Sequence, residues 1–245
     1  MKKVIVGNWK LYVESLEEAV ALVRAAKSAR GEVILCVPHP FIPILVRTAG
    51  KAVKIGAQDV SIVEGGAHTG EVSARVLKSA GATHALVGHS ERRERGESET
   101  LIAEKMARAI DAKLVPVLCI GERERDAAGN HFGVIEVQLR SAFAKIGKKK
   151  PPLMVAYEPV WAIGKRLEDA MKPPELQETV IFIRKVLASL FGRSAALSTP
   201  VLYGGSVDAV NAERLLREGG VQGFLPGRAS ADRKELKALC KVVFS

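Results

Sequence analysis

The chain has 245 residues, 47% of them hydrophobic and 26% charged, with a formal net charge of +10 at neutral pH. That composition describes a globular chain with a large core, and no apolar run reaches the ~20 residues of a membrane span. The basic balance admits nucleic acid or an anionic small substrate. The only tight basic runs are Lys148–Lys150 and Arg92–Arg95; Glu94 interrupts the second, and no aromatic residues interleave with either, which argues against a nucleic-acid platform.

In chain order, the opening MKKVIVGNWK reads as a first strand rather than a leader peptide. Eight strand candidates follow one another: Lys3–Asn8, Val33–Pro38, Lys54–Asp59, His84–His89, Leu114–Ile120, Leu153–Glu158, Pro200–Gly205 and Gln222–Gly227. Helical stretches separate them. Ser15 and Glu18 form a capping-box pattern ahead of the apolar stripe Leu16, Ala19, Val20, Leu22 and Val23. Similar stripes run through Leu101–Ile110 and Val180–Leu190, and Arg233–Val243 is the last helix. No linker or low-complexity segment divides residues 1–245. Alternating strands and helices imply parallel strands with right-handed crossovers, and eight such units predict a closed (β/α)8 barrel as a single domain. An open dinucleotide-binding sheet would carry a glycine-rich fingerprint after its first strand, and none stands there. Cys36, Cys119 and Cys240 are odd in number and widely spaced, with two inside apolar runs. They read as buried free thiols, not as disulfides or metal ligands, and fit a reducing cytoplasm.

In such a barrel, chemistry collects where the strands end at their carboxyl side. Those ends carry Asn8 and Lys10, then His89 and Glu91, then Glu158, and finally two glycine-rich turns at Gly204-Gly205-Ser206 and Gly227-Arg228. Glu158 closes an apolar run before Pro159, so it is either a base facing the barrel mouth or a carboxylate paired with a nearby cation. His89 is either a hydrogen-bond donor to substrate or a histidine satisfied at a strand end. A helical turn from Ser90 would hold it neutral. The glycine turns are either tight connections or a phosphate cradle of backbone N–H groups. Together the set suits proton abstraction beside a carbonyl on a small phosphorylated substrate, with an enediolate stabilised by His89 and Lys10.

The motifs NWK (Asn8–Lys10), GAQD (Gly56–Asp59), TGEVS (Thr69–Ser73), GHSERR (Gly88–Arg93), CIGE (Cys119–Glu122), AYEPVWAIG (Ala156–Gly164) and YGGSV (Tyr203–Val207) stand in this order along nearly the whole chain. In this the chain resembles the triosephosphate isomerases. The resemblance implies interconversion of dihydroxyacetone phosphate and glyceraldehyde 3-phosphate without cofactor or metal. It implies Glu158 as base, His89 as electrophile, Asn8, Lys10 and Glu91 beside the substrate, and Gly164, Ser206, Gly227 and Arg228 at its phosphate. It also implies a homodimer through the loop Gly65–Ser73, with Thr69 reaching the neighbour's site. Departures stand at Leu11, Tyr12, His68 and Arg228, and in the lid Lys165–Glu175, which is three residues longer than usual with no recognisable second hinge. Arg228 occupies a position where glycine is usual, which restricts the backbone and adds a cation near the phosphate. The altered lid keeps open an altered-specificity or non-catalytic phosphosugar-binding barrel.

Overall fold

Eight parallel strands follow one another round a closed barrel in sequence order, and the last pairs with the first. This computed structural model describes residues 2–147, 150–164 and 171–245. The strands are β1 (Val4–Asn8), β2 (Glu32–Val37), β3 (Lys54–Ala57), β4 (His84–Val87), β5 (Val115–Ile120), β6 (Met154–Tyr157), β7 (Val201–Tyr203) and β8 (Gly223–Phe224). β2 starts one residue before its predicted run, and the other seven lie inside theirs. Most fall short of the predicted end on the carboxyl side. Asp59, His89, Glu158, Gly205 and Gly227 have left the ladder, because there the chain turns outward to build the barrel mouth.

Eleven α-helices are found among the described residues: α1 (Leu16–Ala26), α2 (Ile42–Ala49), α3 (Ala74–Ser79), α4 (Ser90–Glu94), α5 (Glu99–Asp111), α6 (Asn130–Ala142), α7 (Pro173–Phe191), α8 (Arg193–Ser198), α9 (Ala212–Glu218), α10 (Arg228–Ala231) and α11 (Arg233–Val243). Ser15, Ser73, Ser98 and Asp232 cap four of them, each side-chain oxygen accepting from a first-turn N–H. None is long and apolar enough to cross a membrane. Lys148 and Lys149, of the basic run Lys148–Lys150, lie outside the described residues.

Side-chain alternation along the strands separates two apolar layers. Val4, Val6, Ile34, Cys36, Leu86, Val117, Cys119, Ala156 and Leu202 fill the barrel interior. Their neighbours Ile5, Leu35, Val87, Leu118, Val155 and Tyr157 pack outward against the helices. The same parity carries chemistry to the mouth. Two residues beyond Val6 comes Asn8, and two beyond Ala156 comes Glu158, so both point inward. All three cysteines are unpaired and buried. One cation is buried within a predicted apolar stripe: Lys105 on α5 is 4% exposed, and its ammonium donates to Asp59 and Glu97. A buried charge needs such partners.

Candidate active site

The carboxyl ends of the strands surround a cavity of about 250 Å³. At the end of β1, the Asn8 carboxamide oxygen accepts from the Lys10 N–H at 3.1 Å. Lys10 itself has φ of +48°, a left-handed conformation uncommon outside glycine. Gln58, just beyond β3, holds that turn by donating to the Lys10 carbonyl at 2.8 Å and to the Cys36 carbonyl at 3.3 Å. Backbone strain of this kind persists only where neighbours over-determine it. Here it presents the Lys10 ammonium to the Glu91 carboxylate at 2.7 Å.

At the end of β4, Gly88 takes a positive φ of +74°, and His89 becomes the N-cap of α4. Arg93 braces this corner, donating to the Gly88 carbonyl at 2.7 Å and to the Cys119 carbonyl of β5 at 3.3 Å. The His89 ring accepts the Glu91 N–H on Nδ1 at 3.2 Å. That nitrogen therefore bears no proton, and Nε2 is the protonated one. Nε2 stands 3.3 Å from Glu158 Oε1. Burial pushes the ring's pKa down, but the Glu158 carboxylate and its hydrogen bond push it up by more, so the net direction is upward. The expectation from the helix end alone had the opposite sign. α4 fixes the tautomer, while the carboxylate sets the proton affinity.

Glu158 is 3% exposed, and its N–H donates to the Ile120 carbonyl at 2.7 Å. Its pKa falls below the ordinary carboxylate value. Burial raises it, but the facing His89 and then Lys10 lower it by more. The carboxylate is thus held ionised although buried. Two glycines make room for it. A Cβ on Gly121 would lie 1.9 Å from the Glu158 carbonyl oxygen, and one on Gly204 would lie 2.6 Å from Glu158 Cγ. Glu158 Oε2 is buried and accepts no hydrogen bond among the described residues.

Gly164, Ser206, Gly227 and Arg228 line the same cavity. The Ser206 hydroxyl donates to the Ala162 carbonyl at 3.0 Å, tying the β7 loop to the chain after β6. Arg228 opens α10, and among the described residues Lys10 and Lys113 are the non-glycine residues with positive φ, so the expected backbone restriction at Arg228 does not arise. Its guanidinium lies 6.0 Å from the centroid of the Tyr12 ring.

The fold therefore gathers Asn8, Lys10, His89, Glu158, Gly164, Ser206, Gly227 and Arg228 round one cavity, with Glu91 joined to it through Lys10 and His89. Thr69 is not among them. It sits on an exposed loop whose base is closed by a Ser61–Ser73 bridge. Of the predicted lid Lys165–Glu175, residues 165–170 lie outside the described residues, while Pro173–Glu175 form the first turn of α7. Before it, Val160–Ala162 form one 3-10 turn. The buried carboxylate Glu122 anchors that turn, accepting from the Tyr157 hydroxyl at 2.8 Å and the Trp161 indole at 2.9 Å. The sequence reading gave no role to Gln58, Glu122 or Tyr12, and it read Gly204 as part of a tight turn or phosphate cradle rather than as room for Glu158. Gln58 and Glu122 were within its motifs, where a polar residue closing an apolar strand was the available signal. Among the described residues no cluster of three His, Cys, Asp or Glu side chains is close enough to hold a metal ion.

Comparison with known proteins gives a match to the family model described as triosephosphate isomerase over residues 3–243. A triosephosphate isomerase of Citrifermentans bemidjiense is 42% identical over 239 residues, covering 94% of each chain. One from an Azoarcus strain is 39% identical over 246 residues, covering 98% of each. One from Xanthomonas euvesicatoria pv. vesicatoria is 40% identical, covering 98% of this chain and 97% of that one.

Proposed function

The chain belongs to the triosephosphate isomerase family and is an isomerase, and from that premise we propose that it interconverts dihydroxyacetone phosphate and glyceraldehyde 3-phosphate with Glu158 as base and His89 as electrophile. The observation that carries the assignment is the facing pair itself, an ionised buried carboxylate 3.3 Å from an imidazole N–H. A glutamate base opposite a histidine donor is a division of labour already described for this family.

Substrate enters between the two. Glu158 takes the proton from the carbon beside the carbonyl, and the C–H electron pair moves to the carbonyl oxygen to give an enediolate. His89 donates its Nε2–H to that oxygen and recovers a proton from the neighbouring hydroxyl. Glu158 then returns its proton to the adjacent carbon, and the carbonyl has moved by one position with no net redox change. The Lys10 ammonium lowers the energy of the developing negative charge, and Asn8 holds the Lys10 turn. Glu91 positions both Lys10 and His89. Backbone N–H groups at Gly164, Ser206, Gly227 and Arg228 receive the phosphate.

The same reading makes the protein cytoplasmic and homodimeric. A groove beside Lys10, lined by Leu11, His39, Gln58 and Arg95, suits the Gly65–Ser73 loop of a second copy, with Thr69 at its tip. Sedimentation as a monomer at micromolar concentration would remove that assembly from the account.

Conversion of glyceraldehyde 3-phosphate by the purified protein in D2O tests the reaction. Turnover with deuterium at the carbon that gains a hydrogen is expected. A folded protein that binds the substrate without turning it over favours the phosphosugar-binding barrel that the altered lid keeps open.

A further inference from the structure

The cavity holds two side-chain cations, and they differ in company. Lys10 is already paired with Glu91 at 2.7 Å. Arg228 is exposed, and no carboxylate among the described residues lies within ion-pair distance of it; Glu235 and Asp208 line the same cavity without reaching it. Its contact is with an aromatic face. The guanidinium carbon is 6.0 Å from the centroid of Tyr12, within cation–π range. Tyr12 is well placed to act as a shelf. It closes the turn after β1, where its N–H donates to the Trp9 carbonyl at 3.0 Å, and Gln58 and Asn8 pin Lys10, two residues before it. The β1 and β8 loops thus meet through one ring and one guanidinium at the cavity that Gly205, Ser206 and Gly227 also line. A planar guanidinium presents its donors in a fork that matches the oxygens of a phosphate ester. A flat ring beneath it limits its rotation without consuming those donors.

We propose that Arg228, held by Tyr12, is a specificity-determining residue that grips the substrate's phosphate dianion through its side chain, in addition to the backbone donors of the same turn. Tyr12 is the positioning residue of the pair. The inference rests on the reading of this cavity as the substrate site. It goes further by giving the cavity a charge-based preference for dianionic phosphate esters over monoanionic or neutral analogues. Because the guanidinium is exposed, its hold weakens as salt screens it.

The test uses the full chain and two readouts. The first is KM and kcat for glyceraldehyde 3-phosphate; the second is the dissociation constant of inorganic phosphate, measured by calorimetry without turnover. Arg228→Gln is expected to raise KM and the phosphate dissociation constant together by about tenfold at low salt, with kcat within about threefold, as loss of a charge-assisted hydrogen bond would give. Arg228→Lys should recover part of the affinity. Tyr12→Phe should leave it unchanged, and Tyr12→Leu should weaken it. At 0.5 M sodium chloride, used as a roughly threefold shorter screening condition than dilute buffer, the difference between wild type and Arg228→Gln should shrink. An unchanged phosphate constant in Arg228→Gln overturns the proposal, and so does an equal loss in the Gln and Lys variants. Wild-type binding in Tyr12→Leu overturns the shelf. If the wild type binds phosphate through Arg228 but does not isomerise, the proposed function fails while this inference stands.

Discussion

Gly204→Ala places a single methyl group against the base and leaves every ionisable residue in place. The added Cβ would stand 2.6 Å from Glu158 Cγ and 3.3 Å from Oε1, where ordinary contact begins near 3.4 Å. Glu158 is the flexible partner, so the carboxylate retreats by about 0.8 Å while the β7 backbone, fixed by the Gly204 N–H to the Tyr157 carbonyl, stays. Displacing a reacting group by about 1 Å costs on the order of 100-fold in rate, so kcat should fall roughly 30- to 100-fold. Overpacking of one methyl should cost no more than about 3 kcal/mol of stability, leaving a folded protein. The assay is steady-state isomerisation of glyceraldehyde 3-phosphate beside urea denaturation of the same samples. Because the effect passes through one side chain, Gly204→Ala should add less than about threefold in a Glu158→Gln background. A kcat within threefold of wild type in a folded variant would refute the argument, as would full additivity of the two substitutions.

His84 offers a prediction about pH. It is 2% exposed, and burial pushes its pKa down to about 4. The unfolded chain therefore binds a proton that the folded one refuses, and this contribution to stability is complete above about pH 6.5 and is lost on acidification towards the folded value. The loss amounts to about 2 kcal/mol by pH 5, and His84→Gln should be less sensitive to acid by about that amount in urea titrations at pH 7.5 and 5. Equal pH sensitivity of the two proteins would contradict it. Glu122→Leu should cost about 2–4 kcal/mol, because it removes the carboxylate that accepts from the buried Tyr157 hydroxyl and the part-buried Trp161 indole. Denaturation midpoints check this, and a loss under 1 kcal/mol would show that the two donors find other partners.

The barrel was legible because its signals are local. Each strand is a short apolar run, each helix carries a stripe and often a cap, and alternation alone aims Asn8 and Glu158 inward. The direction of the His89 pKa was not legible. It depends on a contact between β4 and β6 that no local pattern records, and a reading from the adjoining helix α4 gave the wrong sign. Gln58 could be seen in its motif but not understood, since its task is to hold a strained turn 48 residues away in sequence. Arg228 read as a restricted backbone and a cation near the phosphate; the restriction does not arise, because the residue starts a helix, and its contact with a ring from β1's loop was not legible. The burial of Lys105 within the Leu101–Ile110 stripe was not legible, because its partners Asp59 and Glu97 come from other segments.

The central claim is that the Glu158 carboxylate moves the substrate proton. Glu158→Gln keeps the shape of the side chain and removes its basicity, so the measurement is isomerase activity of that variant beside wild type, with inorganic phosphate binding as the control for an intact cavity. The account predicts a fall in kcat of at least about 10²- to 10⁴-fold, the usual contribution of a positioned general base, with phosphate affinity retained. Activity within tenfold of wild type, in a variant free of contaminating isomerase, would contradict it and move the search for the base to another group in the cavity.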